Sequence, residues 1–201
     1  MAYSNFTLDT VLTTFQLEIV ESAGVFSETE TVAPREHFIA DLQEKVQLAI
    51  SIGTEKARSE LIVTGILFEL REYLDRRISF FSGTEFNVDS EKGLTGVCDF
   101  LVSLSPILSF LEAPIIIIVE AKKENLTLGF GQCAAEMLAA QRFNTEKENN
   151  IPCVYGATTS GTDWRFLKLE GQRLHIDRSL YSIGQCDKIL GILSSMVEQK
   201  V

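Results

Sequence analysis

Apolar and polar positions along the chain recur with two periods, and the switches between them outline the elements. Phe15 to Val20 alternates well enough for a short strand. Pro34 sits where a first helical turn tolerates it. Phe38, Ile39, Leu42, Val46 and Ala49 then follow at helical spacing, and Gly53 closes that helix. Thr54 can cap a second helix over 55–76. Its apolar side is Ile62, Val63, Ile66, Leu67, Leu70, Tyr73 and Leu74, while Glu55, Lys56, Arg58, Glu69 and Glu72 fall outside the stripe and are expected to stay wet. Strand-like runs follow at 78–81, 86–88, 97–104 and 114–121, and then a third helix at about 127–147 rich in good helix formers. Further strands are expected near 153–158, 164–169 and 173–176, the last two joined by Glu170-Gly171-Gln172. An amphipathic helix over about 184–199 ends the chain. Helices, strands, helix, strands, helix is the order of an α/β domain whose mixed sheet is covered by helices. No repeat, low-complexity tract or linker interrupts it, so 1–201 is expected to be a single domain.

One run departs from simple alternation. Ile115, Ile116, Ile117, Ile118 and Val119 are five consecutive β-branched residues, the pattern of a strand buried on both faces. It ends in Glu120-Ala121-Lys122. Side chains alternate along a strand, so Glu120 and Lys122 project together and Ala121 away from them. Upstream, Asp99 is a lone charge inside the apolar run Val97 to Val102. A carboxylate and an ammonium at the end of a rigid buried strand, with a second carboxylate on another strand, form a constellation suited to metal and phosphate chemistry.

Composition narrows the setting. At 201 residues, with 45% hydrophobic and 23% charged residues, the chain is ordinary for a globular domain with a sizeable core. No apolar run approaches the ~20 residues of a membrane-spanning helix. The first residues carry neither a basic cluster nor an apolar signal core, so the expectation is a cytoplasmic protein. Cys98, Cys133, Cys153 and Cys186 are widely spaced, which suits reduced, buried thiols better than zinc ligands. A net charge of −10 argues against tight non-specific binding of nucleic acid by phosphate neutralisation alone. A metal and a local basic group can overcome it.

Magnesium is a hard cation that keeps several waters, so one or two carboxylates suffice to hold it. Asp99 and Glu120 supply these, the Ala121 carbonyl can add a third oxygen, and Mn²⁺ can take the same place. A cation so held polarises a phosphate and lowers the pKa of a bound water. Lys122 can orient that water or stabilise charge developing on the phosphate. The plainer alternative is a strand-end ion pair with Asp99 in a turn. Two apolar strands that each carry the required charge, with helices on either side, are more selective than a bare Glu-x-Lys.

With these residues in place the chain resembles the PD-(D/E)xK nuclease superfamily, and in layout the N-terminal nuclease domain of type I restriction endonuclease motor subunits. The resemblance covers about residues 55–160. It implies a restriction-endonuclease-like three-layer core, with the helix at 55–76, strands within 78–121 and the next helix at 127–147. It places the superfamily's metal aspartate on Asp99, its second acidic ligand on Glu120 and its lysine on Lys122; Cys98 stands where the name-giving proline would. A helix glutamate falls on Glu60, with Glu55 as a competing candidate. A glutamine on the following helix falls on Gln132, with Glu136 one turn further where a tyrosine is common. The implied function is metal-dependent hydrolysis of phosphodiesters in DNA, in a restriction or defence setting, with Mg²⁺ or Mn²⁺. A non-catalytic subunit or interaction module that keeps the fold is the competing expectation, and the acidic total favours it or a need for a second copy or partner protein. His37 and His175 lie far apart and carry no ligand pair, and Ser160 reads as a turn residue.

Overall fold

The computed structural model describes residues 2–149 and 151–199. Among them, eight strands form one mixed sheet: β1 (Glu18–Ser22), β2 (Ser79–Glu85), β3 (Val97–Ser103), β4 (Ile115–Ala121), β5 (Cys153–Thr159), β6 (Asp163–Glu170), β7 (Arg173–Asp177) and the short β8 (Tyr181–Ser182). The order across the sheet is β1-β7-β6-β5-β4-β3-β2, with β8 paired to β6. β4 runs parallel to β5 and antiparallel to β3, so the five-residue β-branched run is interior. Ile115 to Val119 are fully buried, as their pattern predicts.

Helices cover both faces. One layer is α2 (Glu36–Ile52), the segment α3 (Glu55–Arg58) to α4 (Thr64–Tyr73), and α6 (Cys186–Val197). They pack on Phe100, Val102, Ile117, Val119, Tyr155 and Trp164. The other layer is α1 (Leu8–Phe15) and α5 (Phe130–Glu146), against Leu101, Ile118, Val154 and Leu167. Gly53, in the left-handed conformation at φ 71°, ends α2 as expected, and the Thr54 hydroxyl caps α3 by accepting from Ala57 N–H at 3.1 Å.

Four local expectations change. The segment between α3 and α4, Ser59–Val63, is a π turn in which Thr64 N–H reaches back to the Ser59 carbonyl. Residues 86–88 form no separate strand; Phe86 and Val88 N–H bond to Gly96 and Leu94 and extend the β2–β3 hairpin. The strand read from Phe15 begins only at Glu18, because Phe15 ends α1, which is helical despite the modest helix formers Thr10, Val11, Thr13 and Thr14. Thr7 and Thr10 cap its start reciprocally, and Val11 and Phe15 bury against the α5 layer. Glu69, expected to stay wet, is buried because Arg35 donates to it from its backbone N–H, Nε and Nη2 at 2.7, 2.9 and 2.6 Å. No helix among the described residues is long and apolar enough to cross a membrane.

Candidate active site

β3 and β4 stop pairing at Phe100 opposite Val119. Beyond that point the Asp99 side chain takes over from the backbone ladder, and its Oδ2 accepts the Ala121 N–H at 2.8 Å. Asp99 is thereby fixed at the strand end that bears Glu120. Glu120 is 1% exposed. One of its oxygens, Oε1, accepts from Lys122 Nζ, as two-residue spacing on a strand demands. The other, Oε2, has no hydrogen-bond partner.

Lys122 is anchored at both ends. Its N–H donates to the Thr159 carbonyl at 2.7 Å, and its Nζ also donates to Gln132 Oε1 at 3.4 Å. Gly129 makes room for its stem, since a Cβ there would lie 3.2 Å from Lys122 Cγ and 3.3 Å from Cε. Gln132 Nε2 then donates to Glu136 Oε1 at 3.1 Å on the same face of α5. Thr158, opposite Glu120 in the β4–β5 register, contributes a buried Oγ1 without a partner, and Glu136 Oε2 is likewise unpartnered.

The electrostatics follow from this placement. Burial, and then the charge of Asp99, push the Glu120 carboxyl up to about 8, while Lys122 partly offsets them. Burial works against the Lys122 ammonium, but the Glu120 carboxylate more than compensates, so Lys122 titrates above the usual lysine range and stays charged at neutral pH. Burial, followed by Glu120, also holds Glu136 well above the carboxylate range. More acidic groups thus share this strand end than can ionise together beside one ammonium.

Glu60 is not part of the site. Its side chain is 63% exposed and forms an i,i+4 pair with Lys56 at 3.4 Å. The π turn is the physical reason. Counting back from Val63 and Leu67 at 3.6 residues per turn sets Glu60 near the core face, and the wider turn breaks that register. Glu55, on the first turn of α3, is the helix carboxylate whose charge acts on both Glu120 and Lys122. Glu136 carries more weight than its sequence position alone suggests; the signal was its i,i+4 relation to Gln132.

The residues present fit a hard divalent cation. A buried carboxylate oxygen lacks any donor and a second carboxylate is adjacent, which suits a cation that prefers oxygen. No group of three or more His, Cys, Asp and Glu side chains gathers as a complete cation site among the described residues. Asp99 and Glu120 would therefore hold the cation together with non-side-chain oxygens such as the Ala121 carbonyl and water. No protein-family model matches the chain, and no curated protein matches it either.

Proposed function

We propose that the protein is a metal-dependent nuclease of the PD-(D/E)xK type, with a restriction-endonuclease-like core, that hydrolyses phosphodiester bonds in DNA using Mg²⁺ or Mn²⁺. The observation that carries this is the Glu120 carboxylate: buried, beside Asp99, paired through one oxygen to Lys122, and without a partner on the other. A purely structural ion pair gives no account of the orphaned oxygen, because an unsatisfied buried acceptor costs stability.

Hydrolysis forms a bond from a water oxygen to phosphorus and breaks one phosphorus–oxygen ester bond, and the water proton ends on the departing oxygen. The cation would supply polarisation of the phosphate and a lowered pKa for bound water. Asp99 and Glu120 would hold it, Asp99 with its orientation set by the Ala121 N–H and Glu120 through its unpartnered Oε2. The charged Lys122 ammonium orients the attacking water and steadies negative charge on the phosphate oxygens. Gln132 holds that ammonium from the far side.

Supercoiled plasmid and linear single strands, each incubated with purified protein with and without Mg²⁺ or Mn²⁺, test this. Cation-dependent cleavage lost in Lys122→Ala supports it, and absence of cleavage on every substrate contradicts it. The net charge of −10 favours a second reading, a non-catalytic module that keeps the fold. Cation binding without cleavage in the same experiment would assign that.

A further inference from the structure

α5 carries a buried carboxyl that the reaction outlined above does not use. Glu136 is 0% exposed. The N-terminal segment lies directly on an earlier turn of the same helix: a Cβ at Gly131 would come within 2.3 to 2.6 Å of backbone atoms of Phe6, Thr7 and Leu8. Burying an acidic side chain is unfavourable unless hydrogen bonds compensate, and only one bond to a side chain reaches Glu136, from Gln132 Nε2 to Oε1.

That one bond has a directional consequence. A glutamine amide has a donor end and an acceptor end. With the nitrogen held by Glu136, the oxygen alone faces Lys122 Nζ. Were Glu136 replaced by a side chain that accepts nothing, the amide could turn about its last torsion and present its NH₂ to the ammonium. The polarity of the chain from Glu136 through Gln132 to Lys122 and Glu120 is therefore set at its buried end.

We propose that Glu136 is a positioning residue: by accepting from Gln132 it fixes the amide so that its oxygen holds the Lys122 ammonium in the site. The proposal rests on the nuclease reading for its effect on rate, but the hydrogen-bond chain itself is measurable without turnover. Glu136→Gln keeps an acceptor oxygen in place, and Glu136→Leu removes it at similar volume.

Two readouts on these variants test the proposal. In Glu136→Leu, kcat for plasmid cleavage is expected to fall about tenfold or more while KM stays within about twofold, as displacement of a catalytic group requires. Glu136→Gln is expected to stay within about threefold of wild type. The Gln132 side-chain NH₂ resonances, assigned by their loss in Gln132→Met, should remain dispersed in Glu136→Gln and move to solvent-like positions in Glu136→Leu. Equal loss of rate in both variants, or a Glu136→Leu protein as fast as wild type, overturns the proposal. If wild type itself does not cleave, the nuclease reading falls and the amide resonances alone decide: unmoved in Glu136→Leu, they refute the positioning role. Should Glu136→Leu fail to fold, Gln132→Met replaces it, and a Gln132→Met protein at wild-type rate refutes the proposal equally.

Discussion

Asp177 and Glu120 are both carboxylates buried at the ends of strands in the same sheet, and the fold treats them in opposite ways. Asp177, on β7, is fully buried and satisfied: Oδ1 accepts from the N–H groups of Gly24 and Ser179 at 3.0 and 2.8 Å. Its Oδ2 accepts from Phe26 N–H at 3.4 Å and Tyr181 Oη at 2.9 Å. Four donors pin two loops to one side chain, which is how a structural carboxylate compensates for lost hydration. Glu120 receives a single donor and has a second carboxylate as a neighbour. The opposite end of its own strand repeats the contrast, since Asn144 bonds both the N–H and the carbonyl of Ile115 at 2.7 Å. Single unpartnered atoms also occur at Arg58, Ser79, His175 and Gln199, but at this strand end Glu120, Thr158 and Glu136 each keep one, and that clustering, with two of the three on carboxyls, marks the candidate site.

The largest effect that can sharpen this contrast is on turnover. Lys122→Ala removes a charge without removing a ligand oxygen, so cleavage should fall by about two to four orders of magnitude while cation binding is kept or strengthened. Rates from single-turnover plasmid cleavage, beside melting curves with and without Mg²⁺, check both halves. A Lys122→Ala protein that cleaves like wild type would show that any activity is run from elsewhere.

Next comes stability. Asp177→Ala leaves four donors without their acceptor and should cost about 3 kcal/mol or more, a fall in Tm of roughly 6–12 °C for a chain of this size. Glu120→Gln in cation-free buffer at neutral pH should leave Tm close to wild type, because the amide replaces a carboxyl that already holds its proton there and still offers Lys122 an acceptor oxygen. Calorimetric melting of both variants breaks the comparison if Glu120→Gln proves the more damaging.

A smaller effect is the pH dependence. The folded protein keeps a proton on Glu120 up to about 8, whereas the unfolded chain releases it at the ordinary carboxylate value. The native state therefore binds more protons across that window, and raising pH from about 4.5 to about 8 favours unfolding. Cation-free Tm should decline over this range more steeply in wild type than in Glu120→Gln. The stabilisation given by Mg²⁺ should grow with pH as the cation competes with fewer protons. A pH-independent Mg²⁺ shift would contradict the assignment of Glu120 as ligand.

The smallest effect separates the two helix glutamates. Glu60→Ala should change cleavage by less than about twofold, since an exposed i,i+4 pair contributes only a few tenths of a kcal/mol. Glu55→Ala should change it several-fold by altering the charge felt at Glu120 and Lys122. Parallel steady-state rates reverse this assignment if Glu60 proves the more sensitive.

How much of this was legible in the sequence follows from the range of each interaction. β4 could be read directly, because five β-branched residues dictate a buried strand whatever surrounds them. The convergence of Glu120 and Lys122 could be read from strand alternation alone. Asp99 could be placed on a neighbouring strand, but its bond to the Ala121 N–H depends on where β3 and β4 part, which no local pattern encodes. Glu60 came from the family resemblance, with Glu55 as the competing candidate, and a position carried over along the chain takes no account of the π turn at Ser59–Val63. The burial of Glu69 needs Arg35, which lies outside Glu69's own helix. Patterns within one element were readable; pairings between distant elements were not.

The central claim is that the unpartnered oxygen of Glu120 is a seat for a divalent cation. Isothermal titration of Mn²⁺ into the protein at about pH 8, with Glu120→Gln and Asp177→Asn as companions, tests it most directly. Saturable binding to wild type, retained in folded Asp177→Asn and abolished in Glu120→Gln, is the predicted result. No binding to wild type, or equal binding to Glu120→Gln, would contradict it.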